Sequence, residues 1–176
     1  MRGIRLSTML KGGVGSEQLA PMAERVKSLG WHIVSHVNDS KEITELDSTL
    51  RNPPVPIVID HLSRVRGGQG VDYFGFQALL TLMSEKDHVW GKIPSCYRLT
   101  DIGPPYSDMT PIACSMIVER PDCVIWGTNW PNPISCSHPM PNDGDLFNQV
   151  MDWAADDATR HQILADNPAM LCGFET

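Results

Sequence analysis

Five short apolar runs, each followed by a segment with helical spacing, constrain this 176-residue chain more than any other feature. The runs are Gly3–Leu6, Trp31–Val37, Val55–His61, Val89–Ile93 and Cys123–Thr128. Between the first two, Ser16 and Glu17 read as a helix start, and Leu19, Met22, Ala23, Val26 and Leu29 recur at helical spacing up to Gly30. Asp39 or Ser40 is placed to cap a second helix carrying Ile43, Leu46 and Leu50, which Pro53-Pro54 stops. Arg66–Gly70 reads as a loop. Further helices are expected around Phe74–Met83, Met109–Glu119 and Asp145–Ala155, with a proline-rich loop (Pro131, Pro133, Pro139, Pro141) before the last and a short helix after it. Strands alternating with helices predict an α/β protein with a parallel sheet and right-handed crossovers, in one domain over residues 1–176.

Bulk properties narrow the function classes. A hydrophobic content of 41% and a charged content of 20% are those of a globular chain. The formal net charge of −7 is the wrong sign for a nucleic-acid footprint, although it leaves room for a cationic pocket. No apolar run is long enough to span a membrane, and no secretory h-region opens the chain. The five cysteines form no C-x-x-C pair, which points to a reduced, cytoplasmic protein.

In a parallel α/β sheet, chemistry gathers at the C-terminal ends of the strands. Asp60-His61 ends the third run, and His61 there is either a functional group, one that polarises a carbonyl or ligates a metal, or a strand-end histidine bonded to a neighbouring loop. Arg5, Arg64 and Arg98 each fall at or just past a strand end. Singly, each reads as a surface ion pair. Together, they point to a carboxylate-binding pocket, which Lys11 in the glycine-rich loop after the first strand is placed to join. His36, late in the second strand, is in position to face the same site, whereas His32 reads as a packed core histidine. The last run, Cys123-Val-Ile-Trp-Gly-Thr-Asn-Trp-Pro131, stops at a turn that presents Asn129, a side chain that orients a substrate or water but takes up no proton. Cys96 has no evident partner base and reads as a small packed residue. Neither H-x-H nor H-E-x-x-H occurs, so no dedicated metal site is indicated.

Three stretches, Ile57–Arg64, Trp126–Pro131 and Asn167–Phe174, resemble the amidohydrolase-related (β/α)8 TIM barrels and, within them, the 2-pyrone-4,6-dicarboxylate lactonase branch. Met1–Arg5 and Gly30–Val34 also fit that branch. The resemblance implies a hydrolase without metal or cofactor that opens a lactone or related ester bond in a small carboxylate. In its terms Arg5, Lys11, Arg64 and Arg98 clamp the carboxylates, and His61 polarises the carbonyl. His36 stands where the branch has a tyrosine. Two departures matter. The motif aspartate that handles the water's proton is Asn129, and the histidine usual after Trp-Pro is Asn132. A positioned general base contributes about 10²–10⁴-fold in rate, so a catalytically degenerate carboxylate-binding protein is the alternative. The chain also corresponds to barrel strands four to eight, against about 250 residues for a whole barrel. The resemblance therefore implies a fragment, or a chain whose open edges invite self-association or a covering partner.

Overall fold

The computed structural model describes residues 1–174 apart from Leu10, Lys11, Gly13, Ser95 and 133–139. Five strands, β1 (Gly3–Ser7), β2 (His32–His36), β3 (Ile57–Ile59), β4 (Val89–Ile93) and β5 (Val124–Trp126), form one parallel sheet in chain order. Between them run α1 (Leu19–Lys27), α2 (Glu42–Leu50), α3 (Phe74–Glu85) and α4 (Thr110–Glu119), followed after β5 by α5 (Asp143–Trp153). Strands in sequential order joined by right-handed crossovers place every crossover helix on the same side of the sheet. That is the layout of a barrel arc, whereas a doubly wound sheet reverses its strand order at a switch point. Here β1 and β5 are the edges.

Register separates two faces. Ile33, Ile57 and Val89 share one row and Ser35, Ile59, Gly91 and Val124 the next. These rows lie under the helices, and Ile33, Ile57, Ile59, Val89 and Val124 are each 0% exposed. Gly91 is required on that face, because a Cβ there would run into the Met116 side chain of α4. The opposite face carries Arg5 beside Val34, Ser7 beside His36, and Lys92 beside Ile125. Charge is therefore confined to the face that the helices leave uncovered.

Several boundaries differ from those read in the sequence. The third run keeps ladder geometry only through Ile59, and Asp60 remains extended with its N–H on the Ser35 carbonyl at 3.0 Å. His61, Leu62, Ser63 and Arg64 then take positive φ angles of 53°, 51°, 50° and 65°. Left-handed backbone costs a non-glycine residue roughly 1–2 kcal/mol, so the turn persists only where its surroundings hold it. Asp60 accepts a hydrogen bond from the His61 N–H at 3.0 Å, and Ser63 Oγ bonds Ser40 Oγ at 2.7 Å. Leu62 and Ser63 are fully buried. Ser40 is thereby drawn away from capping α2; instead Glu42 accepts from the N–H groups of Asn38 and Asp39, and Asp39 from that of Lys41. Ser16 likewise makes no side-chain cap, because a 3-10 turn at Ser16–Gln18 precedes α1. A second such turn at Gly67–Gln69 lies inside the expected loop, and a third at Pro121–Cys123 delays the last strand to Val124. Of the proline-rich loop, 133–139 lies outside the described residues.

The expected final short helix is a composite: α6 (Asp157–His161), a π turn (Gln162–Asp166) and α7 (Asn167–Cys172). Asn167, 1% exposed, donates from Nδ2 to the carbonyls of Pro121 and Val124, each at 2.7 Å. The closing Asn-Pro motif thus ties the C-terminal helix to the start of β5. Truncating Asn167 strands two acceptors near the core. Asn167→Ala is expected to lower unfolding stability by about 1–3 kcal/mol in urea titrations, and an unchanged midpoint would show the tie to be dispensable.

Candidate active site

At the C-terminal end of β3, Asp60 is a carboxylate 1% exposed. Such a charge is tolerated only if paired and hydrogen-bonded. Arg5 Nη2 reaches Asp60 Oδ2 at 2.8 Å, and Lys92 Nζ stands 3.6 Å from Oδ1, the oxygen that also accepts from the His61 N–H. Register supplies both cations. Ile59 pairs with Gly91, which sets Lys92 beside Asp60, and Arg5 on β1 reaches across β2 from the same face. Burial pushes the Asp60 carboxyl upward, but Lys92, His61, Arg5 and His36 together hold it below the ordinary carboxylate range. Asp60 is ionised.

Two buried imidazoles adjoin it. The rings of His36 and His61 have centroids 4.8 Å apart at a 44° tilt, and both residues are under 5% exposed. His61 Nε2 lies 3.6 Å from Asp60 Oδ2, close enough for charge contact but long for a hydrogen bond. His36 Nδ1 meets Ser7 Oγ at 3.4 Å, while His36 Nε2 and both ring nitrogens of His61 have no hydrogen-bond partner among the described residues. Burial lowers the His36 pKa to about 4, with Arg5 adding to the effect and Asp60 opposing it. Burial likewise takes His61 to about 3 against the pull of Asp60. Both rings are neutral at pH 7.

Beside this cluster an open cleft of about 840 Å³ is lined by Arg64, Arg66, Tyr97, Arg98 and Tyr106 among others. Neither Arg64 nor Arg98 makes a salt bridge among the described residues, and the Nε of Arg64 is buried without a partner. Burial lowers the pKa of both guanidinium groups. The charges of Arg98 and Arg66 add to this at Arg64, and that of Arg5 at Arg98. Asp101 and Asp145 also line the cleft, but neither forms a salt bridge with Arg64 or Arg98 among the described residues.

Next to Tyr97, Asn129 and Asn132 take φ angles of 66° and 55°, left-handed positions that Asn tolerates better than other side chains. Asn129 Nδ2 donates to Tyr97 Oη at 3.4 Å, and Tyr97 Oη donates to Asn132 Oδ1 at 2.9 Å. Tyr97 thereby links the Gly-Thr-Asn turn to the arginine cleft.

The structure therefore assembles the expected residues in two groups: Arg5, His36 and His61 around Asp60, and Arg64 and Arg98 on the cleft, with Asn129 joined to the cleft through Tyr97. Lys11 lies outside the described residues. Arg5 differs from its expected role in having one nitrogen committed to Asp60, although the side chain is 47% exposed and retains further donors. His32, expected in the core, is half-buried, and its Nδ1 has no partner among the described residues. Sequence reasoning missed Asp60 as a hub, Lys92 as its second cation, and Tyr97 as the link. A lysine inside an otherwise apolar strand was the available signal for Lys92. Among the described residues, no three His, Cys, Asp or Glu side chains are grouped as metal ligands, and no helix is long and apolar enough to cross a membrane.

The neutral imidazoles make stability depend on pH. Their folded pKa values lie below the 6.5 of an ordinary histidine, so the unfolded chain takes up protons first as pH falls. The contribution is complete above the unfolded value and is lost progressively as pH falls toward 4. Asp60, with its carboxyl below the ordinary 3.8, loses its contribution only in more acidic solution. Urea midpoints are expected to fall between about pH 7.5 and about pH 4.5 by an amount equivalent to a few kcal/mol, and less steeply in His36→Gln. Equal midpoints at the two pH values would mean that the rings are not held neutral.

Comparison with known proteins agrees with this geometry. Residues 1–174 match the amidohydrolase family. The chain is 36% identical over 177 aligned residues to a 4-sulfomuconolactone hydrolase of Rhizobium radiobacter, covering 98% of this chain and 58% of the relative. It is 33% identical over 181 residues to a 2-pyrone-4,6-dicarboxylate hydrolase of Comamonas testosteroni, covering 97% and 59% respectively. A crystal structure of a putative 2-pyrone-4,6-dicarboxylic acid hydrolase from Pseudomonas putida superposes with a TM-score of 0.83 at 28% identity, covering 100% of this chain and 64% of that one. The chain thus spans less than two thirds of the length of each of these proteins. With nearly its whole sequence matched and its five parallel strands superposing on part of a (β/α)8 barrel, the chain belongs to the amidohydrolase family.

Proposed function

We propose that this chain supplies strands four to eight of an amidohydrolase-family barrel that hydrolyses a lactone or related ester bond in a small carboxylate substrate. The observation that carries this reading is the pair of cleft arginines, Arg64 and Arg98, neither of which makes a salt bridge among the described residues, beside two neutral histidines. Guanidinium groups left in mutual repulsion are completed by a bound anion, and Arg is suited to grip a carboxylate through two parallel hydrogen bonds. Arg5 and Lys11 extend the clamp. His61 faces the lactone carbonyl, and Asn129 orients the attacking water from the Tyr97 side. His36 lines the same site from β2. The resemblance that suggests this chemistry is to enzymes that work without a metal. The named relatives, hydrolases of 4-sulfomuconolactone and of 2-pyrone-4,6-dicarboxylate, support an anionic lactone as the substrate class.

Among the described residues, Cys96, Cys114, Cys123 and Cys172 are unpaired, which supports a reducing, cytoplasmic setting. The edge strands β1 and β5 leave outer ladders through which a second copy or further barrel strands would pair.

The replacement of the motif aspartate by Asn129 keeps a second reading in view, a carboxylate-binding protein without turnover. Calorimetry and a hydrolysis assay with 2-pyrone-4,6-dicarboxylate separate the two. The hydrolase reading expects binding with turnover, and the other expects binding alone. Arg64→Ala and Arg98→Ala are each expected to weaken binding roughly 10- to 100-fold, and failure of the unaltered chain to bind the dicarboxylate refutes both readings.

A further inference from the structure

Hydrolysis needs somewhere to put a proton of the attacking water, and an amide at position 129 has no capacity for it. The structure offers another acceptor. His61 turns Nε2 toward the ionised Asp60 at 3.6 Å, which leaves Nδ1 on the other edge of the ring, also unpartnered among the described residues. A neutral imidazole carries one proton. Placed on Nε2, that proton points at a buried carboxylate; placed on Nδ1, it leaves a lone pair facing the carboxylate oxygens. A charge-assisted hydrogen bond favours the first arrangement by roughly an order of magnitude or more, and catalytic hydrogen bonds that are long in the unliganded state commonly close when substrate binds.

We propose that Asp60 and His61 form the acid–base pair of the reaction, with Asp60 fixing the proton of His61 on Nε2 and Nδ1 taking the proton of the attacking water. The inference rests on the lactone-hydrolase reading and assigns the step that Asn129 leaves open. Asp60 is a positioning residue: Arg5 and Lys92 keep it ionised, so it orients the ring and balances the imidazolium without accepting the proton itself. His36 does not duplicate the arrangement, because its Nδ1 is turned to Ser7 rather than to a carboxylate.

The step balances within substrate, water and His61. The water oxygen bonds to the lactone carbonyl carbon as one O–H bond breaks and its proton moves to Nδ1. The resulting imidazolium, paired with Asp60, then faces the oxyanion of the tetrahedral adduct. When the ring C–O bond breaks, its electron pair leaves with the oxygen, which takes the proton from Nδ1. The open-chain hydroxy acid ionises and releases its proton to solvent. His61 thus polarises the carbonyl only after it has been protonated.

The same geometry makes the base respond to substrate. Burial, His36, Arg98 and Arg5 oppose a charge on His61, and Asp60 favours it. A dicarboxylate seated on the arginines cancels part of that cationic field, so the ring becomes a stronger base when occupied.

Two measurements on the unaltered 176-residue chain and one variant test the pair. Nitrogen-15 NMR of the histidines is expected to show the His61 proton on Nε2, and titration with bound 2-pyrone-4,6-dicarboxylate to show His61 protonating at higher pH than in the free chain. Asp60→Asn is expected to lower kcat about 10²–10⁴-fold with KM changed only a few-fold. A His61 proton on Nδ1, or binding of the dicarboxylate without turnover by the unaltered chain, overturns the pair while leaving the carboxylate site standing. A folded Asp60→Asn with full kcat does the same. Absence of binding overturns the function proposed above, and the pair with it.

Discussion

The site depends on one buried carboxylate. Asp60 lies almost wholly out of water, where an unpaired charge would neutralise or destabilise the fold by several kcal/mol. Its partners arrive from β1, two strands away, and from β4, the next strand on the other side, so the ion cluster reads out the register of the sheet. A one-residue slip of β4 would turn Lys92 toward the helices and bring Gly91 or Ile93 into its place. The apolar rows beneath the helices specify the same register independently, because a slip would also bury the charge among Ile57, Ile59 and Val124. Packing and electrostatics thus select one alignment.

The same carboxylate organises the charge around it. Arg5 is held by Asp60, whereas Arg64 and Arg98 have no such partner among the described residues. The imidazoles between these groups stay neutral because burial, reinforced by the arginines, outweighs the attraction of Asp60. The result is a pair of neutral imidazoles next to a cleft with three arginines and two aspartates on its lining, where Arg64 and Arg98 are left without a salt bridge among the described residues and are open to an anion. The left-handed turn from His61 to Arg64 makes this possible, since it carries the chain from the buried carboxylate to the cleft arginine within four residues.

Much of this was legible in the sequence. The five apolar runs, their parallel order and the location of chemistry at the strand ends follow from hydropathy and spacing alone, and four of the observed strands fall inside those runs while β1 extends one residue further, to Ser7. Strand-end position puts both His36 and His61 within reach of one site, and in the structure their ring centroids are 4.8 Å apart. What could not be read were partnerships made through space. Nothing local to Lys92 says that it meets Asp60, because the pairing depends on the alignment of β3 with β4. Nor does His-Leu-Ser-Arg announce four positive φ angles; none is glycine, and the conformation is imposed by Ser40, by Asp60 and by burial of Leu62 and Ser63. The same override moved the starts of α1 and α2. Local capping preferences are worth about 1 kcal/mol and yield when tertiary contacts claim the side chain.

Asn129 acquires a different meaning against this background. Considered alone, an amide in place of a proton-accepting carboxylate signals lost catalysis. It also removes a negative charge from beside Tyr97, which lines the arginine cleft. A carboxylate at 129 would lose the hydrogen bond that the Asn129 amide now donates to Tyr97, whose own hydroxyl donates to Asn132. The amide instead satisfies the tyrosine. In the proposed pair, the negative charge that serves the chemistry lies behind His61. The substitution therefore bears on where the proton goes before it bears on whether the site works.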